Sequence, residues 1–149
     1  QLVWEMAWRD RAPLSVLLID IDHFKRYNER NGHNEGDAVL KRLAQTISHC
    51  LRRVDDLPAR HGGESFMVVL PHTEGSLAMV VGERVRQQVE ALRLRHETST
   101  TAMHLTVSVG VASCKAHPDH NPQALLAAAE QALRQAKRDG RNRVCGATA

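Results

Sequence analysis

Aromatic residues are scarce in this chain of 149 residues, at 3% of the composition. Proteins that bind single-stranded nucleic acid stack the bases on aromatic side chains, so this scarcity argues against that class of partner. The formal net charge is also small, at +3, which is too little to predict DNA binding but would suit an anionic small ligand. We therefore expect no nucleic-acid partner.

Cysteines and long apolar runs are rare as well. The three cysteines, Cys50, Cys114 and Cys145, are widely spaced and predict no disulfide framework, which favours a reducing, cytoplasmic location. No apolar run approaches the roughly 20 residues that span a bilayer, and no secretory signal opens the sequence. Because the chain starts at Gln1, inside a predicted helix, we expect a fragment of a larger signalling protein. An upstream sensor domain, or a membrane anchor, would lie outside it.

The composition that remains, 42% hydrophobic and 25% charged, is typical of one globular domain, here residues 1–149. Hydrophobic periodicity predicts alternating strands and helices, an order that favours an α/β sheet covered by helices. Asp22 is predicted to cap the first helix, and Gly32 to end it. The predicted strands span 14–20, 57–60, 65–70, 105–111 and 143–145, and the later helices span 36–53, 76–94 and 122–138.

The most informative segment lies at the predicted hairpin between the second and third strands. It runs Arg60-His61-Gly62-Gly63-Glu64-Ser65-Phe66. Two adjacent glycines allow a tight turn whose bare backbone a ligand can approach closely. Glu64 places a carboxylate beside that turn, so the hairpin is a candidate ligand site.

Several separated motifs, named at the end of this paragraph, resemble those of the GGDEF domain of diguanylate cyclases in their order and spacing. The resemblance covers nearly the whole length of the chain. The resemblance implies a palm-like nucleotidyl-cyclase fold of the α/β (α+β) class, with a central, mostly antiparallel sheet of about five strands plus a hairpin, surrounded by helices. It also implies a homodimer that joins two GTP molecules into cyclic di-GMP and releases pyrophosphate. The motifs are Asp20-Ile21-Asp22-His23-Phe24-Lys25, Asn28, Gly32-His33, Gly36-Asp37, Arg53-Val54-Asp55-Asp56, the hairpin segment, Val107-Ser108-Val109-Gly110 and 136–142.

The resemblance implies a Mg²⁺ site held by Asp20, Glu64 and the backbone carbonyl of Ile21. Carboxylate-bound Mg²⁺ stabilises the charge that develops when a ribose 3′-hydroxyl attacks an α-phosphate, and it acidifies that hydroxyl. Asp20 and Glu64 are the catalytic candidates, with Glu64 assisting deprotonation. Ser65 stands where the family usually has a second glutamate, and a neutral hydroxyl is a poor Mg²⁺ ligand. We therefore expect impaired synthesis, with an active cyclase as the alternative.

The resemblance also assigns a GTP site. Asn28 and Asp37 match the positions that recognise guanine, whose ring N–H and exocyclic amine suit an amide and a carboxylate. Both residues would also be ordinary in a helix, Asp37 as an acid near its start. The phosphate-binding candidates are backbone groups near His23, Phe24 and Lys25 and the side chains of Lys137 and Arg141, which would equally complement the carboxyl end of a helix. Gly62 and Gly63 at the hairpin turn are further substrate-binding candidates.

A third set of residues resembles the family's inhibitory product site. Arg53 and Asp56 form an RxxD motif in register with the hairpin, and Arg84 matches a second arginine of that site. Arginine can stack on guanine and pair with phosphate, while aspartate accepts from guanine N–H groups. We therefore expect binding of cyclic di-GMP here. A third possibility is that GTP binds without turnover, as an allosteric signal.

Overall fold

The computed structural model describes residues 12–51, 57–61, 64–115 and 121–148. Within them the chain alternates between strands and helices as the hydrophobic pattern predicts, so the predicted α/β class is confirmed. The elements are β1 (Pro13–Ile21), α1 (Phe24–Asn31), α2 (His33–Cys50), β2 (Leu57–His61), β3 (Ser65–Pro71), α3 (Gly75–Ala91), β4 (Val107–Lys115), α4 (Pro122–Arg138) and β5 (Val144–Thr148).

The described strands form one sheet in the order β2-β3-β1-β4-β5. The pairs β2–β3, β1–β3 and β1–β4 are antiparallel, and only β4–β5 is parallel, so the predicted mostly antiparallel sheet is confirmed. The predicted hairpin supplies two of the five strands rather than adding to them. β1 lies at the centre, which places both neighbouring strands beside the acidic residues at its end.

Helices cover both faces of the sheet, and this explains why β1 is apolar at nearly every position. Leu17 and Ile19 point into a large cluster that includes buried residues of α1, α2 and α3. Leu14, Val16 and Leu18 point to the other face, against α4. This is the alternation that a strand's period of two requires. The fold thus packs β1 between two layers.

Pairing within the segment that we call the 94–105 loop accounts for two boundary differences. α3 ends at Ala91 instead of residue 94, and β4 begins at Val107 instead of residue 105. The Leu105 N–H donates to the Leu94 carbonyl oxygen at 2.6 Å, and the His96 N–H donates to the Met103 carbonyl oxygen at 2.8 Å. These bonds draw the two ends of the loop together and away from the neighbouring elements.

Two further features concern membrane-spanning helices and the state of the cysteines. Among the described residues, no helix is both long and apolar enough to cross a bilayer. None of the three cysteines forms a disulfide; Cys50 is buried, and Cys114 and Cys145 are partly buried. Burial raises the pKa of the Cys114 thiol, so this thiol is less reactive than an ordinary one.

Candidate functional site

The carboxylate of Asp20 is the centre of the candidate site. It ends the apolar part of β1 and lies directly opposite Ser65 on β3 and Ser108 on β4. The Ser65 hydroxyl donates to Asp20 Oδ1 at 3.1 Å, and the Lys137 ammonium pairs with Asp20 Oδ2. The Asp20 side chain is only 17% exposed. The fold therefore brings together three positions that are distant in sequence and gives both oxygens of Asp20 a partner.

Glu64 adds a second, exposed carboxylate next to Ser65. The described residues contain no group of three or more acidic, histidine or cysteine side chains that would hold a metal by themselves. Mg²⁺ is commonly bound by one or two carboxylates together with substrate phosphates and water. The two carboxylates and the Ile21 carbonyl thus fit one Mg²⁺ that arrives with a nucleotide.

Ser65 changes the electrostatics of this pair of strands. Side chains directly opposite each other on antiparallel strands lie about 4.5–5.5 Å apart at their Cβ atoms. A glutamate opposite Asp20 would place two negative charges at that separation, where they repel unless a cation lies between them. With serine, the same pair is joined by a hydrogen bond. With serine at position 65, there is no repulsion between opposed carboxylates for a bound cation to relieve.

Asp22 does not cap α1, so that prediction was wrong. The capping position is His23, whose side chain makes no capping bond. Asp22 is 1% exposed. Its carboxylate accepts hydrogen bonds from Thr106 Oγ1 at 2.8 Å, from Ser108 Oγ at 2.6 Å and from the Asn142 N–H at 3.0 Å. The sequence analysis missed this buried hydrogen-bond network, although two hydroxyl residues, Thr106 and Ser108, at alternate positions of an otherwise apolar stretch were a signal for it.

The turn into α1 has an unusual backbone. His23 is left-handed, with φ of 56°. Its carbonyl oxygen accepts from the Tyr27 N–H at 3.1 Å, and it lies 2.9 Å from His96 Nε2. Burial, followed by the positive charge of Arg141, lowers the pKa of His23, so its imidazole is neutral at pH 7. Phe24 is buried and Lys25 exposed.

Asn28 on α1 packs directly against Gly36 on α2. A Cβ atom added at Gly36 would overlap the Asn28 side-chain oxygen, so glycine is what lets the two helices approach closely at Asn28. Asn28 Oδ1 is buried and has no hydrogen-bond partner among the described residues. A buried acceptor without a donor is costly, and a ligand N–H would satisfy it. α2 begins at His33 rather than residue 36, because Gly32 alone, with φ of 92°, separates the two helices.

Gly36→Ala tests this arrangement. The new methyl group should displace the Asn28 amide and lower GTP affinity roughly tenfold or more, the effect of losing one hydrogen bond to a buried group. Stability should change by less than about 1 kcal/mol, because alanine favours the helix while Asn28 moves aside. Calorimetric titration with GTP and thermal unfolding check the two parts, with Glu35→Ala on the same turn as the control. Unchanged GTP affinity in Gly36→Ala would exclude Asn28 from the site.

Arg84 lies apart from Asp20, on α3. Its Nη1 donates to the Cys50 carbonyl oxygen at 3.1 Å, which joins α3 to the end of α2. Beside it is an open cavity of about 460 Å³ whose basic lining residues are Arg42, His49 and Arg84. Arg53 and Asp56, like Gly62 and Gly63, lie outside the described residues. Arg84, the one residue of the predicted product site among the described residues, therefore lines a groove that holds a second arginine, Arg42.

Comparison with known proteins decides the family. The model described as "Diguanylate cyclase, GGDEF domain" matches residues 1–143. The chain belongs to the GGDEF family. The domain is 39% identical over 137 residues to the response regulator PleD of Caulobacter vibrioides, covering 92% of this chain but only 30% of PleD. The chain thus spans under a third of the length of that relative.

Solved GGDEF structures agree with the fold. The active GGEEF domain of a diguanylate cyclase from Vibrio cholerae superposes with a TM-score of 0.84 at 36% identity, covering 98% of this chain and 90% of that one. The GGDEF domain of DgcB from Caulobacter crescentus, solved in complex with c-di-GMP, gives a TM-score of 0.85 at 30% identity, covering 97% of this chain and 84% of that one. The predicted palm-like fold is confirmed, while the roles of individual site residues stay predictions.

Proposed function

We propose that this GGDEF domain is a guanine-nucleotide receptor of cyclic di-GMP signalling, which binds cyclic di-GMP at Arg53, Asp56 and Arg84 and synthesises it poorly. The observation that carries the proposal is the Ser65–Asp20 hydrogen bond. A neutral hydroxyl there replaces the carboxylate that the family uses beside its metal. The domain accordingly keeps its recognition residues and has one catalytic carboxylate fewer.

GTP binding is supported by two sets of groups. The unpartnered Asn28 Oδ1 would accept from the guanine N–H groups, with Asp37 as the second acceptor. Lys137, Arg141 and the first N–H groups of α1 would bind the phosphates. Lys137 already lies against Asp20, so a bound triphosphate would compete with Asp20 for this ammonium group.

The metal proposal follows from the oxygen donors at the end of β1. Asp20, Glu64 and the Ile21 carbonyl would hold one Mg²⁺ together with the nucleotide. When bound, Mg²⁺ supplies charge neutralisation on the phosphates and acidifies the attacking hydroxyl. Glu64, exposed at the turn, would accept the proton. Without a carboxylate at Ser65, the site has one negative charge fewer than the family pattern, and we expect weaker metal binding.

Cyclic di-GMP binding is supported by the charged groove at Arg84. Its two arginines, Arg42 and Arg84, and the adjacent His49 offer donors to an anionic dinucleotide. Since α2 runs to Cys50, Arg53 follows it within three residues. The related DgcB domain was solved with this ligand bound.

An active diguanylate cyclase is the second candidate, because Asp20 and Glu64 are both retained, and Glu64 precedes Ser65, the residue that pairs with Asp20 across the sheet. In that case two domains would have to meet face to face, each holding one GTP. An upstream sensor domain in the full-length protein would then control this homodimer.

The test starts from the purified domain stripped of nucleotide. Calorimetry should show binding of cyclic di-GMP, and of GTP with Mg²⁺, while mass spectrometry finds little cyclic di-GMP formed, even in a forced dimer. Arg84→Ala should weaken cyclic di-GMP binding roughly tenfold to a hundredfold, through loss of a charged hydrogen bond. Arg134→Ala, exposed on α4, is the matched control.

Two results would contradict the proposal. Efficient synthesis that Glu64→Ala abolishes would make the domain a working cyclase. Failure of both nucleotides to bind would remove the receptor function as well. Equal cyclic di-GMP affinity in Arg84→Ala and the wild type would leave the receptor function standing but exclude Arg84 from its site.

A further inference from the structure

The 94–105 loop folds over the first turns of α1, where the proposed GTP phosphates would bind. Thr101 Oγ1 and Thr100 Oγ1 lie 3.1 and 3.2 Å from His23 Nε2. Arg30 pairs with Glu97 at 2.8 Å, with both side chains about half exposed. Exposed pairs of this kind contribute little to stability. The loop also makes one buried polar contact with this turn, through His96.

That contact is made by His96, which is 1% exposed. Its Nε2 lies 2.9 Å from the His23 carbonyl oxygen. A carbonyl oxygen only accepts, so Nε2 must carry the proton in this contact. Nδ1 is buried with no partner among the described residues. The ring meets Tyr27 edge to face at 5.4 Å. The hydrogen bond to the turn is therefore the polar contact that justifies a buried histidine here.

His96 contacts His23, whose backbone has a conformation that residues other than glycine rarely adopt. His23 has φ of 56°, in the left-handed region. On one side of His23, buried hydrogen bonds hold the Asp22 side chain in place. On the other side, His96 holds the carbonyl oxygen of His23 itself. Because this carbonyl also accepts the first hydrogen bond of α1, its direction sets the direction of the helix's first N–H groups.

We infer that His96 is a positioning residue for the triphosphate: by donating to the His23 carbonyl it holds the left-handed turn, which aims the first N–H groups of α1 at the phosphates of GTP. The inference rests on the proposed GTP site. It assigns the 94–105 loop a part in binding phosphate and none in binding guanine. Its effect should therefore grow with the number of phosphates on the ligand.

A matched pair of variants tests the inference. Gln and Met have similar length, but only Gln can donate to the His23 carbonyl. His96→Met should lower GTP affinity tenfold or more and GMP affinity less than threefold, whereas His96→Gln should retain most of the GTP affinity. Adding His23→Gly to His96→Met should recover GTP affinity, because glycine adopts a positive φ unaided. Thr98→Ala in the same loop is the control. Equal losses for GTP and GMP, or no difference between Met and Gln, would overturn the inference.

A second measurement needs neither a folded variant nor GTP binding. Nitrogen NMR of His96 in the wild-type domain should show a protonated Nε2 and an unprotonated Nδ1, and the Cα shift of His23 should report a positive φ. The opposite tautomer, or an ordinary φ, would overturn the inference even if the variants fail to fold. If the wild type binds no GTP, the proposed function fails; the inference then fails too, even where these NMR signatures are present, because no triphosphate is left to position.

Discussion

Ser65→Glu should raise the rate of cyclic di-GMP synthesis by roughly two to four orders of magnitude in the presence of Mg²⁺, about 3–5 kcal/mol of transition-state stabilisation. The cause is local charge. Residue 65 lies directly opposite Asp20, so a glutamate there adds a carboxylate beside Asp20 and Glu64. Product formation by a forced dimer, followed by mass spectrometry, measures the gain.

The same variant should make stability depend on metal. In Ser65→Glu the opposed carboxylates repel, so added Mg²⁺ should raise the unfolding temperature, while the wild type should respond weakly. Ser65→Gln has the shape of glutamate without its charge and should show neither synthesis nor a metal response. If Ser65→Glu stays inactive while binding both GTP and Mg²⁺, the missing carboxylate is not what limits synthesis.

Asp22→Ala should lower the free energy of unfolding by about 3 to 5 kcal/mol, because it leaves three donors without their buried, charged acceptor. These donors are Thr106 Oγ1, Ser108 Oγ and the Asn142 N–H. Asn142 in turn contacts Arg86 at 3.0 Å and Glu90 at 2.7 Å on α3. The loss should therefore loosen the joint between β1, β4, α3 and the segment that carries Arg141. Urea unfolding of the purified domain measures it.

The matched control for Asp22 is Glu29→Ala, an exposed acid on α1, which should change stability by less than about 0.5 kcal/mol. Asp22→Asn keeps the shape and one acceptor oxygen, and it should fall between the wild type and Asp22→Ala. A loss under 1 kcal/mol in Asp22→Ala would mean that water replaces the carboxylate, and that the network does not hold the site.

Much of the fold was predictable because its signals are local. β1 and β3 follow from short apolar runs bounded by turn residues, β2 follows from its place before the Gly62-Gly63 pair, and α4 begins and ends at the predicted residues. At the start of α4 the Asn121 side chain accepts from the Ala124 N–H, and Gly140 after its end has φ of 125°. In these cases neighbouring residues decide the conformation, so one-dimensional pattern is enough.

The candidate site was predictable only as a set of residue types in a family's order. Those motifs placed Asp20, Glu64 and Lys137 among the candidates, but no spacing indicated that Ser65 and Lys137 would share the two oxygens of Asp20. The unpartnered oxygen of Asn28 is likewise a property of packing against Gly36.

By itself, then, the sequence determined the family, the order of the elements and the substitution at Ser65. Only the tertiary structure decided that Asp22 is a buried hydrogen-bond acceptor instead of a helix cap. It also decided that His96 contacts the turn at His23, which lies 73 positions earlier in the sequence. The physical reason is that a polar side chain near a helix start has several possible partners. Which one it takes depends on donors that the folded sheet brings to it from elsewhere in the chain.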